Sequence, residues 1–369
     1  MEKKTGSLED LEIMINKKFW KNKKVLITGH TGFKGSWLSF YLYNLGSHII
    51  GYSLEPKSYH RLFSLLNIKK KISHNIFGNI LDKKKLSRII YKHKPEIIFH
   101  LAAQPFVIDS YIDSLNTINT NTIGTINILD SLKKNTHVKS LIIVTTDKCY
   151  KVKKKGLVSY KENSELGGLD PYSASKACVE ILTSSYVNSF CNNSKKKIVT
   201  NISTVRSGNI LGGGDWGKYR LIPDIINIRD SNKVLKIRNL NSVRPWIHVL
   251  DTLTGYINLA EKNYFSKRFV GAWNFSPSSK KKKKVKDVIY YCLANNFIKK
   301  KQIKYISSSY KETKTLVLDS SKARKFLKWN PRLNFLETLK FTFDWYRANK
   351  NKNNMEQFSL EQIKKYLAK

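Results

Sequence analysis

The chain has 369 residues and a formal net charge of +40, from 67 Lys and Arg against 27 Asp and Glu. Charge of that size would suit a polyanion, yet the cation is almost all lysine, 56 of them beside 11 arginines, and the runs Lys195–Lys197, Lys280–Lys284 and Lys299–Lys301 fall in polar, turn-like stretches. With no aromatic-interleaved basic stripe, helix-turn-helix or zinc-knuckle spacing, the expectation is a solvated surface and no nucleic-acid partner. Cys149, Cys178, Cys191 and Cys292 form no Cys-x-x-Cys pair and the histidines no His-x-x-x-His pair, which argues against a disulfide frame and a metal centre and suits a reducing cytosol. No apolar run approaches the roughly 20 residues of a membrane span. Residues 1–20 carry Glu9, Asp10 and Glu12 without an uninterrupted apolar core, so no secretory signal is expected and the protein is placed in the cytoplasm.

In chain order the first element is an apolar run, Val25-Leu-Ile-Thr28, that ends in Gly29, Gly32 and Gly35 and passes at once into helix formers up to Gly46. A strand, a glycine turn and a helix in that order make an anion site. The glycines let the backbone approach a pyrophosphate, whose charge meets the free N–H groups of the helix N-terminus. Strands are expected at Lys24–Thr28, His48–Tyr52, Glu96–His100, Ser140–Thr145 and Val199–Arg206, and helices at Gly35–Asn44, Lys83–His93, Thr117–Lys133 and Pro171–Phe190. That alternation predicts an α/β fold, a Rossmann-type doubly wound parallel sheet covered on both faces. After Arg206 the pattern breaks into shorter segments punctuated by Gly212-Gly-Gly214, Pro223, Pro245 and Pro277, then two helical stretches near Lys286–Asn295 and Asn334–Arg347. The expected division is a dinucleotide-binding domain over 19–205, with part of 246–275 returning to it, and a smaller C-terminal substrate-binding region over 206–369.

Tyr172 and Lys176 stand four residues apart, on one face of a helix opened by Asp170-Pro171. Tyrosine's pKa is about 10, so a cation nearby is expected to draw the phenolate toward neutrality. The spacing is weak evidence alone, since Tyr150/Lys154, Tyr310/Lys314 and Tyr346/Lys350 share it. Only Tyr172 also follows, by 26 residues, a polar triplet at the end of a buried strand: Thr146, Asp147 and Lys148. Ligands of open α/β sheets bind at such carboxyl ends.

Thr28-Gly-x-x-Gly-x-x-Gly35, His100-Leu-Ala-Ala103, Asn121 and Tyr172-x-x-x-Lys176 together resemble the extended short-chain dehydrogenase/reductases, or NAD-dependent epimerase/dehydratase superfamily. Within it the sequence is more closely similar to the CDP-glucose 4,6-dehydratase branch. The motifs that carry this are Gly29-His-Thr-Gly-Phe-Lys-Gly-Ser-Trp37, Ala102-Ala-Gln-Pro105, Thr146-Asp-Lys-Cys-Tyr150, Gly208-Asn-Ile-Leu-Gly-Gly-Gly-Asp-Trp216, Arg220-Leu-Ile-Pro-Asp224 and Arg244-Pro-Trp246, spread over residues 19–347. The resemblance implies a lyase that turns CDP-glucose into CDP-4-keto-6-deoxyglucose and water through transient NADH, in deoxysugar synthesis for a surface polysaccharide such as lipopolysaccharide O-antigen. Tyr172 would take the 4-hydroxyl proton and Thr146 hold that hydroxyl, with Lys176 beside them. Asp147 would act as acid and Lys148, where related dehydratases carry glutamate, as base or electrostatic partner. Gly29, His30, Gly32, Phe33, Lys34, Gly35, Asn79, Ile80, Ala102, Ala103, Gln104 and Asn121 would hold NAD, and Asn209, Arg220, Leu221 and Arg244 the sugar nucleotide. Family members commonly dimerise through two helices of each subunit, which implies a homodimer through Thr117–Lys133 and Pro171–Phe190.

Arginine placement argues independently for an anionic substrate. Five of the 11, Arg206, Arg220, Arg229, Arg238 and Arg244, fall within residues 206–244, and a planar fork suits a diphosphate where a point charge does not. Arg244 is the first choice, Arg220 the second and Arg229 a helix-surface residue. The sequence departs from the family at three places: Ser53 stands where an acidic residue usually holds the NAD ribose, Asn79 where aspartate is commoner, and Ile108 where arginine is expected. Arg61, just beyond Ser53, keeps NADP open as the alternative cofactor. The competing functions are another NDP-sugar 4,6-dehydratase, an NDP-sugar epimerase, disfavoured because it needs no acid/base pair for losing water, a non-catalytic NAD-binding protein, and a basic nucleic-acid binder.

Overall fold

Seven parallel strands form the central sheet of the computed structural model, which describes residues 15–57, 61–133, 135–152, 159–191, 199–229, 231, 233–277, 282–306 and 317–369. From one edge to the other the order is Gly271–Phe275, Asn201–Ser207, Ser140–Val144, Ile97–His100, Lys24–Thr28, His48–Ser53 and His74–Phe77. The strands are apolar without a break because both faces are covered. Successive residues enter opposite layers, as the two-residue period of a strand requires: Val25, Ile27, Ile97 and Phe99 pack into one core, Leu26, Ile98, Leu141 and Ile143 into the other. The chain leaves Lys24–Thr28 toward one edge and later resumes beside it with Ile97–His100, so the strand order reverses there. A crevice opens at the carboxyl ends of those two strands.

The helix Val249–Phe265 is buried along nearly its whole length, and Gly271–Phe275 after it pairs with Asn201–Ser207 as an edge strand. Three features differ from the sequence reading. The helix expected at Thr117–Lys133 is three pieces, Ser114–Ile118, a π-helical turn Asn119–Ile123 and Gly124–Ser131, and that at Pro171–Phe190 turns π-helical at Val187–Cys191. A π turn inserts one residue into the ladder and leaves no trace in apolar spacing. The edge strand His74–Phe77 has too few apolar residues to read as one. A last helix, Met355–Leu367, follows Phe335–Lys350 and buries Met355, Ser359, Gln362, Ile363 and Tyr366; two of those five are polar, which hides its stripe. Ser359 accepts from Trp345 Nε1 at 2.8 Å, and the Tyr366 hydroxyl donates to Asp251 at 3.0 Å.

Among the lysine runs, Lys299–Lys301 is exposed. Lys195–Lys197, Lys280, Lys154, the pair Tyr310/Lys314 and residues 1–14 lie outside the described residues.

Arg206 does not serve the cleft. Its guanidinium meets Glu180 of the helix Pro171–Tyr186 through Nε and one terminal nitrogen, both at 2.8 Å, and donates from the other to the Tyr150 hydroxyl at 2.7 Å and the Glu162 carbonyl at 2.9 Å. Both partners are 3% exposed. Removing one member of a buried pair strands the other charge. Arg206→Met should therefore lower the unfolding free energy by about 3–5 kcal/mol in urea titration, and Glu180→Leu combined with it should be less damaging than the sum of the single changes.

Candidate active site

Gly29 leaves the first strand with φ +75°, and a Cβ there would lie 2.7 Å from the Ala102 nitrogen. A Cβ on Gly35 would lie 2.1 Å from the Gly29 carbonyl oxygen, whereas one on Gly32 would meet only that oxygen, at 3.5 Å. The first and third glycines thus let the turn close on itself, and the middle one keeps its outer side open. No side chain caps the helix Phe33–Asn44 at Gly32, so its first N–H groups face that opening as an anion site. The cradle fits a pyrophosphate.

Around it the expected cofactor residues divide into those at the opening and those that build it. The His30 ring turns inward, bonds Asn75 Oδ1 at 2.7 Å and packs edge-on against Phe63; burial lowers its pKa to about 4. Thr28 Oγ1 accepts from the Ala102 nitrogen at 3.3 Å and meets His100 Nδ1 at 2.7 Å. Asn121, buried in the π turn, accepts from the Gln104 nitrogen at 2.8 Å and donates to Ser175 Oγ at 2.9 Å. It locks Ala102, Ala103 and Gln104 against the helix that carries Tyr172. The Asn79 side chain accepts from the Leu81 nitrogen at 3.0 Å, and the Ile80 carbonyl accepts from Asn127 Nδ2 at 3.1 Å, so this loop is held by its own bonds. Ser53 bonds Thr31 at 3.0 Å, and the Arg61 guanidinium lies 5.7 Å over the Trp216 ring.

Beside the cradle lies a cleft of about 400 Å³. Its walls include Phe33, Lys34, Thr146, Asp147, Lys148, Tyr172, Asn209, Arg220, Leu221 and Arg244. Thr146 begins a single 3₁₀ turn, Asp147–Cys149, accepting from the Lys148 nitrogen at 3.4 Å and donating to Asp147 Oδ1 at 3.1 Å. The Tyr172 phenol lines the same wall, close enough for the Thr146 hydroxyl to stabilise its ionised form. Asp147 Oδ2 is buried without a partner among the described residues, and burial raises the carboxyl's pKa against the pull of Lys148 and Arg244. Lys176 donates to the Val144 carbonyl at 3.1 Å, and burial lowers its pKa to about 8. Lys34 is lowered to about 7, by burial first and then by Lys176 and Arg220.

Tyr172 corrects the expectation of an activated phenol. Its pKa stands at about 12: burial raises it, with Asp147 and Asp170 adding to the rise, and the Thr146 hydroxyl and Arg220 recover only part. Desolvation outweighs the local cations because the whole phenol lies beneath the cleft surface.

The arginines of 206–244 also divide. Arg220, Arg238 and Arg244 line the cleft, Arg206 is in the core, and Arg229 lies 5.2 Å over the Phe297 ring. Arg220 donates to Asp215 at 2.8 Å and stacks 5.3 Å over Phe106, and Arg244 donates to the Val243 carbonyl at 3.0 Å. The Asn209 carbonyl accepts from the Ile247 nitrogen at 3.1 Å. Ile108, at the place of the expected arginine, is an apolar part of the wall. Sequence reasoning passed over Arg238, although the arginine crowding contained it, and passed over Asp215, Asp224 and Phe106, which only the fold brings to the cleft.

A glycine cradle at the sheet's reversal point, with tyrosine, threonine and lysine in the adjoining cleft, defines an extended short-chain dehydrogenase/reductase. The sequence model of the GDP-mannose 4,6 dehydratase family matches residues 26–342. CDP-glucose 4,6-dehydratase of Salmonella typhimurium is 38% identical over 357 residues, covering 96% of this chain and 99% of that protein. The dTDP-glucose 4,6-dehydratase of Shigella flexneri is 25% identical over 358 residues, 89% of this chain and 94% of that one. Among solved structures, DesIV, a dTDP-glucose 4,6-dehydratase from Streptomyces venezuelae with NAD and TYD bound, has the same fold at a TM-score of 0.76 and 21% identity, covering 89% of this chain and 98% of that one. The chain belongs to the GDP-mannose 4,6 dehydratase family, a family of sugar-nucleotide 4,6-dehydratases.

Burial of histidine gives the fold a defined acid response. His30, His100 and His248 have pKa values lowered from 6.5 to about 4, 3 and 3. The unfolded chain therefore takes up protons first, and the stability these groups carry is complete above about 6.5 and lost as the pH falls below it. Asp224 and Asp251, raised by burial to about 6, oppose this between about 6 and 4. Urea midpoints should fall between pH 7 and pH 5, by a net free energy on the order of 3 kcal/mol.

Proposed function

We propose that the protein is a CDP-glucose 4,6-dehydratase, releasing CDP-4-keto-6-deoxyglucose and water with NAD held in the glycine cradle. The observation that carries this reading is Tyr172, Thr146, Asp147 and Lys148 gathered at one wall of the cleft, with Thr146 bonded to Asp147. The relative from Salmonella typhimurium, matched over nearly its whole length, supports the choice of substrate. NAD is favoured over NADP because Arg61, the cation that would meet a 2′-phosphate, is stacked on Trp216. The sheet with its returning strand forms the cofactor half, and the rest of residues 206–369 the substrate half.

Bound NAD supplies a hydride acceptor at sugar C4 and the donor that later reduces C6. Thr146 positions the 4-hydroxyl and Tyr172 takes its proton. From a pKa of about 12 the phenol needs added positive charge, for which Arg220 is this chain's acting source and Lys176, one helix turn on, the reserve. Once C4 is a ketone the C5 hydrogen is acidic. Lys148 takes that proton, and Asp147, held toward its protonated form by burial, gives its proton to the departing 6-hydroxyl, which leaves as water. Arg220, Arg244, Asn209 and Leu221 hold the diphosphate end. An epimerase would have no use for the Asp147/Lys148 pair. We place the enzyme in the cytoplasm, supplying deoxysugar for surface polysaccharide such as O-antigen, with no nucleic-acid partner. The nucleotide-sugar substrate and four free cysteines support that location.

Tyr172→Phe should abolish both turnover and transient NADH absorbance. Asp147→Asn with Lys148→Met should spare the first oxidation and stall loss of water, leaving enzyme-bound NADH. The unaltered enzyme should carry deuterium from C4 to C6 of the same sugar, read by mass spectrometry together with the loss of one water. Deuterium released to solvent, or full dehydration by the double variant, would contradict these roles.

We also propose a homodimer. Ile112, Leu115 and Ile181 are 75%, 68% and 57% exposed on neighbouring helices, an apolar face that a second copy would cover. Light scattering at micromolar protein should give twice the 42.7 kDa chain mass, and Leu115→Lys with Ile181→Lys should give the monomer.

A further inference from the structure

We propose that Asp224 and Arg238 read the edge of the nucleotide base, and that Asp224 makes the cleft prefer cytosine over uracil or thymine. The inference rests on the reading of the cleft as a sugar-nucleotide site and adds the residues that choose the base.

Asp224 belongs to the helix Leu221–Ile228 and lines the same cleft as Arg220, Arg238 and Arg244. Its backbone nitrogen bonds the Arg220 carbonyl at 2.9 Å, so it stands one turn further along, about 6 Å at helical rise. Arg220, Asp224 and Tyr172 all line this one cleft; with the diphosphate read at Arg220, we set the nucleoside over the next turn. The strand Leu235–Ile237 runs beside it and delivers Arg238 at its end. Ile222, Leu235, Ile237 and Trp246 give this end of the cleft apolar walls suited to a flat ring.

The state of Asp224 is what calls for a ligand. Among the other acids lining the cleft, Asp215 accepts from Arg220 and from the Gly217 nitrogen and Asp170 accepts from Ser173, while Asp147 keeps one buried oxygen without a partner among the described residues. The Asp224 carboxylate accepts no hydrogen bond from the described residues, with only the charge of Arg238 acting on it. Burial lifts its pKa to about 6, so near neutrality it is mostly ionised, a half-buried acceptor open to a donor that enters the cleft.

Cytosine supplies that donor. Its edge presents an amino group beside ring N3 and O2 acceptors, and a carboxylate accepting from this amino group is an established base contact. A guanidinium next to it suits N3 and O2. Uracil and thymine invert the first two positions: a carbonyl oxygen would face the carboxylate and an N–H the guanidinium. The mismatch leaves buried polar groups unpaired. A base contact of this kind discriminates by roughly 10- to 100-fold.

Calorimetric titration of the full-length protein with CDP and with UDP tests this without turnover. CDP should bind roughly 10- to 100-fold more tightly. Asp224→Asn, whose amide can turn its donor outward, should weaken CDP and strengthen UDP until the two agree within about 3-fold. Asp224→Leu should weaken CDP and leave UDP unimproved; if that variant does not fold, the near-isosteric Asn variant decides. Equal binding of CDP and UDP by the unaltered protein would overturn the proposal, as would a folded Asp224 variant that keeps the original preference. A protein that prefers CDP through Asp224 yet fails to dehydrate CDP-glucose would overturn the proposed activity and leave this inference standing.

Discussion

The cleft depends on a carboxylate and a guanidinium that are almost wholly withdrawn from water. Glu180 and Arg206 join the helix carrying Tyr172 and Lys176 to the strand that leads into Gly208 and Asn209. Taking both charges out of water is expensive, and the arrangement holds because nearly every donor is used: Thr204 also donates to Glu180, and the third guanidinium nitrogen serves Tyr150 and Glu162. Tyr150 in turn donates to Asn274 on the returning edge strand. One network thus sets the distance between the helix carrying Tyr172, the strand ends and the segment that closes the sheet.

Desolvation then sets the chemistry. The same burial that keeps Asp147 toward its neutral form brings the ammonium groups of Lys34 and Lys176 to about 7 and 8 and pushes the Tyr172 phenol to about 12. Ionised forms are disfavoured in all four groups, so each charge that enters the cleft with a ligand changes their balance more than it would at the surface. A site of this kind rests with its groups shifted toward their neutral forms and responds to what binds.

The two kinds of cation have separate duties. Most lysines cover the outside, Lys34 and Lys148 at the cleft and the buried Lys176 excepted, whereas several arginines stand where a planar fork has a partner: Glu180 in the core, Asp215 at the cleft, the rings of Phe106 and Trp216 beside it. The large net charge describes the surface and says little about the site.

Much of this was legible in the residues themselves. Strand apolarity, the spacing of Gly29, Gly32 and Gly35 and the helix after them determined a doubly wound sheet with an anion cradle, because burial on both faces and backbone sterics act locally. The motifs Thr146-Asp-Lys148 and Tyr172-x-x-x-Lys176 were visible as candidates for the same reason. Tertiary structure alone decided what each side chain does. It turned the His30 ring away from the cradle, gave Asn121 a clamping role through a π turn, sent Arg206 to Glu180 and brought Asp224 and Arg238 to one wall. It also raised the Tyr172 phenol to about 12, since the free energy of a charge depends on the depth at which it lies. Period and propensity are properties of neighbours in the chain; partners and solvation belong to residues that only folding brings together.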